Sequence, residues 1–249
     1  MRRLFLLLVL LNASLLLLTT KRVEHKRVPK ANVVPFYSPT HFHSTEAILM
    51  KIIVFALMML FTPVLVQAVP LKVVSVGAPA INCVFNPPCT VSVSDIVSDI
   101  PMSAGGTGRL QSRTYKGMPG SPANGLFAYE YRLDLTNAVG ALNIACIDWM
   151  TISFGPVVST LDYNGDHKPD QVFVVTSGGL GTIGVSSAIQ TGSNIKFKFA
   201  SPVCEGGAPG KGDTTFFWGL VSKKPATTVT ATLHETGGAT HVVKARAPQ

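Results

Sequence analysis

Asp162-Tyr163-Asn164-Gly165-Asp166-His167-Lys168-Pro169-Asp170 is the stretch of this 249-residue chain whose residue types and spacing best suit a particular chemistry. Oxygen-bearing side chains fall at its first, third, fifth and ninth positions, and the Lys168 carbonyl stands at the seventh. An EF-hand-type loop wraps a hard cation in oxygens at this spacing. Three carboxylates so close in sequence repel one another unless a positive charge lies between them. Ca2+ is therefore the expected cofactor, with Asp162, Asn164, Asp166, Lys168 and Asp170 as its ligands. Gly165 allows the tight turn that folds these oxygens to one side. The alternative is an Asn-Gly hairpin turn whose acids are merely solvated.

The motif resembles the Asp-x-Asn-Gly-Asp-x-x-x-Asp loop of FG-GAP and VCBS repeats and is similar to the calcium loop of dockerins. Residues 162–175 carry the resemblance, since the apolar run Val172-Phe173-Val174-Val175 stands where the repeats place a β-strand. It implies calcium held by aspartates and an asparagine in an extracellular protein. His167 takes the place of the usual glycine at position six, and Phe173 that of a bidentate glutamate at position twelve. Remaining ligands must then come from water or a distant acid. The loop occurs once, which argues against a propeller built from tandem copies.

Other chemistry is more sparsely provided. Gly179-Leu180-Gly181-Thr182-Ile183-Gly184 spells G-x-G-x-x-G, with Glu205 further on. The segment from Val185 to Gly192 is too short and too β-branched to be the helix that receives a pyrophosphate, so the motif reads as a turn. Neither G-x-S-x-G nor H-E-x-x-H occurs. His234 and His241 flank a Gly-Gly turn and could face each other across a hairpin, although exposed histidines there are more often simply solvated. Acids for glycoside cleavage would have to come from Glu130, Asp134, Asp148 and Asp213, whose distances the sequence does not give. Phe216-Phe217-Trp218 with Tyr129 and Tyr131 could stack on a sugar, but strand alternation makes core the better assignment.

All four cysteines, Cys83, Cys89, Cys146 and Cys204, lie in the C-terminal three quarters of the chain. An even count behind an export signal reads as disulfides, and no Cys-x-x-Cys spacing favours zinc. Of the three pairings, Cys83 with Cys89 and Cys146 with Cys204 are preferred. The first closes a Pro-Pro turn, and the second staples distant strands with Trp149 packed on it in the core.

These residues must be positioned by β structure. Tyr129-Glu130-Tyr131-Arg132-Leu133-Asp134-Leu135 alternates without a slip, which predicts one core face and one wet face. Residues 195–199 and 228–233 repeat the pattern, and further strands are expected at 71–76, 90–95, 109–115, 144–154, 171–176, 214–220 and 239–244. No segment predicts an amphipathic helix, and 102–125 reads as a long mobile loop around one short strand. The fold class expected is all-β, an antiparallel, disulfide-bonded, jelly-roll-like β-sandwich.

Composition agrees, at 47% hydrophobic and 14% charged, which excludes a disordered chain. Leu4–Leu18 and Ile52–Ala68 are apolar segments at or below the roughly 20 residues that span a bilayer, and the second ends in the small-x-small exit Val66-Gln67-Ala68. Three regions follow: 1–49, an upstream extension or first membrane anchor; 50–68, a signal peptide cleaved near Ala68; and 69–249, a single sandwich domain. Residues 1–68 hold eight Lys or Arg against Glu24 and Glu46, so most of the formal net charge of +8 belongs to the leader and is no argument for nucleic-acid binding. The expected protein is a secreted, calcium-stabilised, non-catalytic module that binds an extracellular glycan or protein. A glycan hydrolase and a protein still anchored in a membrane through its leader are the alternatives.

Overall fold

A computed structural model describes residues 67–249 apart from 142, 158–160 and 249. Expectations for residues 1–66, including most of the signal segment, lie outside the described residues. The strands are β1 (Ala68–Leu71), β2 (Val73–Gly77), β3 (Ser94–Pro101), β4 (Thr107–Lys116), β5 (Phe127–Asp134) and β6 (Cys146–Ser153). They continue with β7 (Val172–Ser177), β8 (Val185–Thr191), β9 (Asn194–Cys204), β10 (Trp218–Ser222), β11 (Ala226–Glu235) and β12 (Thr240–Pro248). One short helix, α1 (Ala80–Phe85), lies between β2 and β3. Six residues give less than two turns, too few to print a helical period on the sequence.

The strands form two six-stranded sheets, ordered β1-β8-β9-β6-β11-β12 and β2-β7-β10-β5-β4-β3, packed as a β-sandwich. All pairs are antiparallel except β2 with β7, which run parallel from Val73↔Val172 onward. The disulfide-bonded β-sandwich expected from the sequence is thus present, with this one parallel pair added to its antiparallel ladders. The chain leaves β1 in the first sheet and enters β2 in the second across the single residue Lys72, too short a path to reverse its direction.

The core between the sheets draws Tyr129, Tyr131 and Leu133 from β5, Ile195, Phe197 and Phe199 from β9, and Trp218 from β10. A second core covers the other face of the second sheet, where Phe173, Val175 and Tyr115 meet Ile81 and Phe85 of α1, Ala123 and Leu126 of the β4–β5 connection, and Tyr163. That is why Val172-Phe173-Val174-Val175 is apolar without alternation: β7 is buried on both faces. It also corrects the expectation of a wet face on β5, since Glu130 is only 5% exposed beneath this second layer.

Other expectations shift locally. Residues 107–116 form a ten-residue strand, and the following loop is held by Met118 N–H to Phe85 O and Ala123 N–H to Val84 O, both backbone bonds to α1. The stretch 102–125 is therefore mostly ordered sheet and anchored turn. The strand expected at 90–95 forms at 94–101, after the Cys83–Cys89 turn, and β8 forms at Val185–Thr191, where no strand was expected. Trp149 is not in the core. A bulge in β6 between Ile147 and Trp149 shifts the register against β9, so Trp149 points outward and stacks on His234 with ring centroids 3.3 Å apart.

Candidate functional site

The acidic loop spans Leu161 to Asp170, whose backbones close on each other through Asp170 N–H to Leu161 O at 2.7 Å. Tyr163 anchors it from within, packing its ring 4.9 Å from Phe173 in the second core. The loop's acids then fold inward by accepting its own amides. Asp162 Oδ1 accepts from Gly165 and Asp166 at 2.7 and 3.1 Å, and its Oδ2 accepts from His167 at 2.7 Å. Gly165 has φ 79°, and His167 itself adopts φ 59°, the left-handed conformation that the motif usually assigns to glycine.

Three carboxylates converge, with one oxygen each from Asp162, Asp166 and Asp170 all within 4.8 Å of one another. Ligand oxygens at 2.3–2.6 Å from a common Ca2+ are at most about 5 Å apart, so one ion can touch all three. Asn164 Oδ1 accepts the Asp166 amide at 3.1 Å, and Lys168 donates its own amide to Asp166 Oδ1 at 2.9 Å. The triple-aspartate group can thus hold a metal ion. Its exposure is graded: Asp166 is open, Asp162 half-buried, and Asp170 fully buried.

Sequence reading missed Lys72. Its Nζ lies 2.7 Å from Asp170 Oδ1 and 3.4 Å from Asp166 Oδ2. Asp170 Oδ2 accepts the Tyr163 amide, whereas Oδ1 accepts no properly aligned hydrogen bond and has only the Lys72 charge beside it. The lysine is held in turn by its backbone, which accepts from Gln171 and Val172 and donates to Gln171 Oε1. The Asp170 carboxylate 2.7 Å away outweighs partial desolvation and raises the Lys72 pKa above its ordinary value. For Asp166 desolvation acts upward, but the Lys168 amide and Lys72 prevail and lower its pKa. Three acids against one lysine leave a residual charge that a single divalent cation balances. A lone Lys within the apolar run 69–76 was the available signal.

The remaining candidates separate. His234 and His241 do not face each other, because Leu233 pairs with His241 and His234 with Thr240, placing the two rings on opposite sides of the sheet. His234 stacks on Trp149, while His241 bonds the buried Glu235 at 2.7 Å, with Ser103 on the second carboxylate oxygen. Asp134 pairs with Arg132 and the Thr136 amide, and Asp213 accepts the Cys204 amide. Gly179 to Gly184 leads into β8 and not into a helix, as the turn assignment requires. Both preferred disulfides are present, Cys83–Cys89 and Cys146–Cys204, the latter between directly opposed residues of β6 and β9.

Fold and loop together define the class, a disulfide-bonded all-β sandwich bearing an acidic loop able to hold a metal ion. No family model, curated protein or solved structure matches the chain.

Proposed function

We propose that this chain is an exported binding module whose Asp162–Asp170 loop holds one calcium ion, and that it attaches without catalysis to an extracellular glycan or protein. The observation that carries the metal reading is the convergence of three carboxylate oxygens within 4.8 Å around a residual negative charge. Calcium suits an irregular, partly open set of protein oxygens, whereas Mg2+ demands near-octahedral order and keeps its waters. Two disulfides support an oxidising compartment. Among the described residues no helix is long and apolar enough to cross a membrane. Binding is preferred to hydrolysis because Asp134 and Asp213 are committed to ion pairing and to backbone amides.

Calcium should raise the melting temperature by linkage, with a dissociation constant on the order of 10⁻⁴ to 10⁻³ M, since few ligands are local. Asp166→Ala should abolish that response. A melting curve indifferent to calcium up to about 10 mM would refute the metal reading. Glycan and protein arrays, run beside a hydrolysis assay, test the module's role: turnover of any captured glycan would replace binder with enzyme.

A further inference from the structure

A second site lies apart from the acidic loop, where the covering layer of the second sheet is incomplete. A cleft of about 220 Å³ opens between α1, the Gly179–Leu180 turn and the outer face of that sheet. Its walls are mainly apolar, from Ile81, Val175, Leu180 and Phe217, and its charged groups are Glu130 and Arg113. Leu180 stands 60% exposed at the rim.

Glu130 is the unusual member. It is 5% exposed, and its Oε1 accepts the Tyr115 hydroxyl at 2.6 Å. The nearest cation to its Oε2 is Arg113 Nη1 at 3.8 Å, beyond hydrogen-bond reach. Arg113 is spent elsewhere. Its Nε and Nη2 each donate to Asp95 at 3.2 Å, and its guanidinium lies 4.1 Å above the Phe217 ring. Arg132 stands 5.8 Å from that ring and is paired with Asp134 at 3.0 Å. With Glu130 ionised, counting it, Asp95 and Asp134 against Arg113 and Arg132 leaves one uncompensated negative charge beside an apolar cleft. Glu130 lines the cleft, with Oε1 held by Tyr115 and no cation closer than 3.8 Å to Oε2, and a carboxylate so desolvated stabilises a fold less than an apolar residue in the same space would. Such groups concentrate at binding sites, where a ligand supplies the missing partner.

We propose that this cleft binds a small organic monocation, a protonated amine on an apolar body. The ammonium would donate to Glu130 Oε2, and the body would lie against Ile81, Val175 and Leu180. At about 30 Å³ for each water-sized group, the cleft has room for roughly seven. A metal ion is disfavoured by a single free carboxylate oxygen beside a guanidinium, and a sugar by the shortage of polar groups on the walls. The site is independent of the calcium reading and stands or falls without it.

Benzylammonium is the probe, with benzyl alcohol as its neutral isostere, and benzoate and a methyl glycoside as comparators, each titrated into the disulfide-bonded protein by amide NMR. Burial raises the Glu130 pKa against the opposing pull of Tyr115 and Arg113, so titrations run on the alkaline side of neutrality, which favours the ionised carboxylate. Benzylammonium should shift the amides of Ile81, Glu130, Val175 and Leu180 and bind at least about tenfold more tightly than benzyl alcohol. Glu130→Gln should erase that preference. Leu180→Ala, at an exposed position that folding does not require, should weaken amine and alcohol alike. Equal affinities for amine and alcohol, preference for benzoate or the glycoside, or no saturable shift up to about 20 mM amine would each overturn the proposal.

Discussion

Removing the Cys146–Cys204 bond by Cys146→Ala with Cys204→Ala should destabilise the protein far more than removing Cys83–Cys89. The bonded residues are 58 apart in sequence in the first case and 6 in the second. With a loop-closure entropy of about −2.1 − 1.5R ln n cal/mol/K, these separations give about 4 and about 2 kcal/mol at 25 °C. In the folded protein Cys146 and Cys204 are already opposed across hydrogen-bonded β6 and β9, so the ladder should survive and the loss should fall on the unfolded chain. Each kcal/mol moves the melting temperature of a domain this size by about 2–4 °C, so the double variant should melt about 8–16 °C lower. Reversible urea unfolding of the two double variants measures the difference, and the long-loop variant should also show a steeper slope, because its unfolded state exposes more surface. Should the Cys83–Cys89 variant lose as much stability as the Cys146–Cys204 variant, chain entropy would not be the source of the stabilisation.

Three further outcomes are expected, the first from the leader sequence and the others from the geometry. Exported protein should begin at Val69, which N-terminal sequencing reads directly; a product retaining residues 19–49 would favour the anchored form. Burial pushes the Glu235 carboxyl up, but the Ser103 hydroxyl and amide and His241 prevail, so its folded pKa lies below 4.5. Its contribution is therefore complete above the unfolded value and is lost as pH falls through the folded one, so Glu235→Gln should lower stability at neutral pH and flatten its decline in acid, as followed by urea midpoints across pH. A Cβ at Gly219 would lie 2.5 Å from Phe173 Cζ and 2.8 Å from the Tyr129 carbonyl oxygen, so Gly219→Ala should cost about 1–3 kcal/mol in the same assay.

Features written within a few residues were legible in the sequence. The alternation of 129–135 becomes β5, and the spacing of Asp162, Asp166 and Asp170 gathers their oxygens, because turn geometry and strand pleat depend on neighbours alone. An even cysteine count and export-like leader implied cross-links, and the longer staple was predictable because both its residues sit in strand-like runs. What lies over a strand was not legible. The polar face of β5 looked wet until α1 and the β4–β5 connection were laid across it, burying Glu130 and leaving the cleft beside it. Register was equally hidden: one bulge in β6 turned Trp149 outward, and the pairing of β11 with β12 parted His234 from His241. Lys72 reaches the acidic loop only because the crossing from β1 to β2 passes over it, ninety-odd positions away in the chain. Side-chain parity and long-range contact depend on how the strands pair, and pairing is decided by the burial of the whole core, where a one-residue slip exchanges the two faces of a strand.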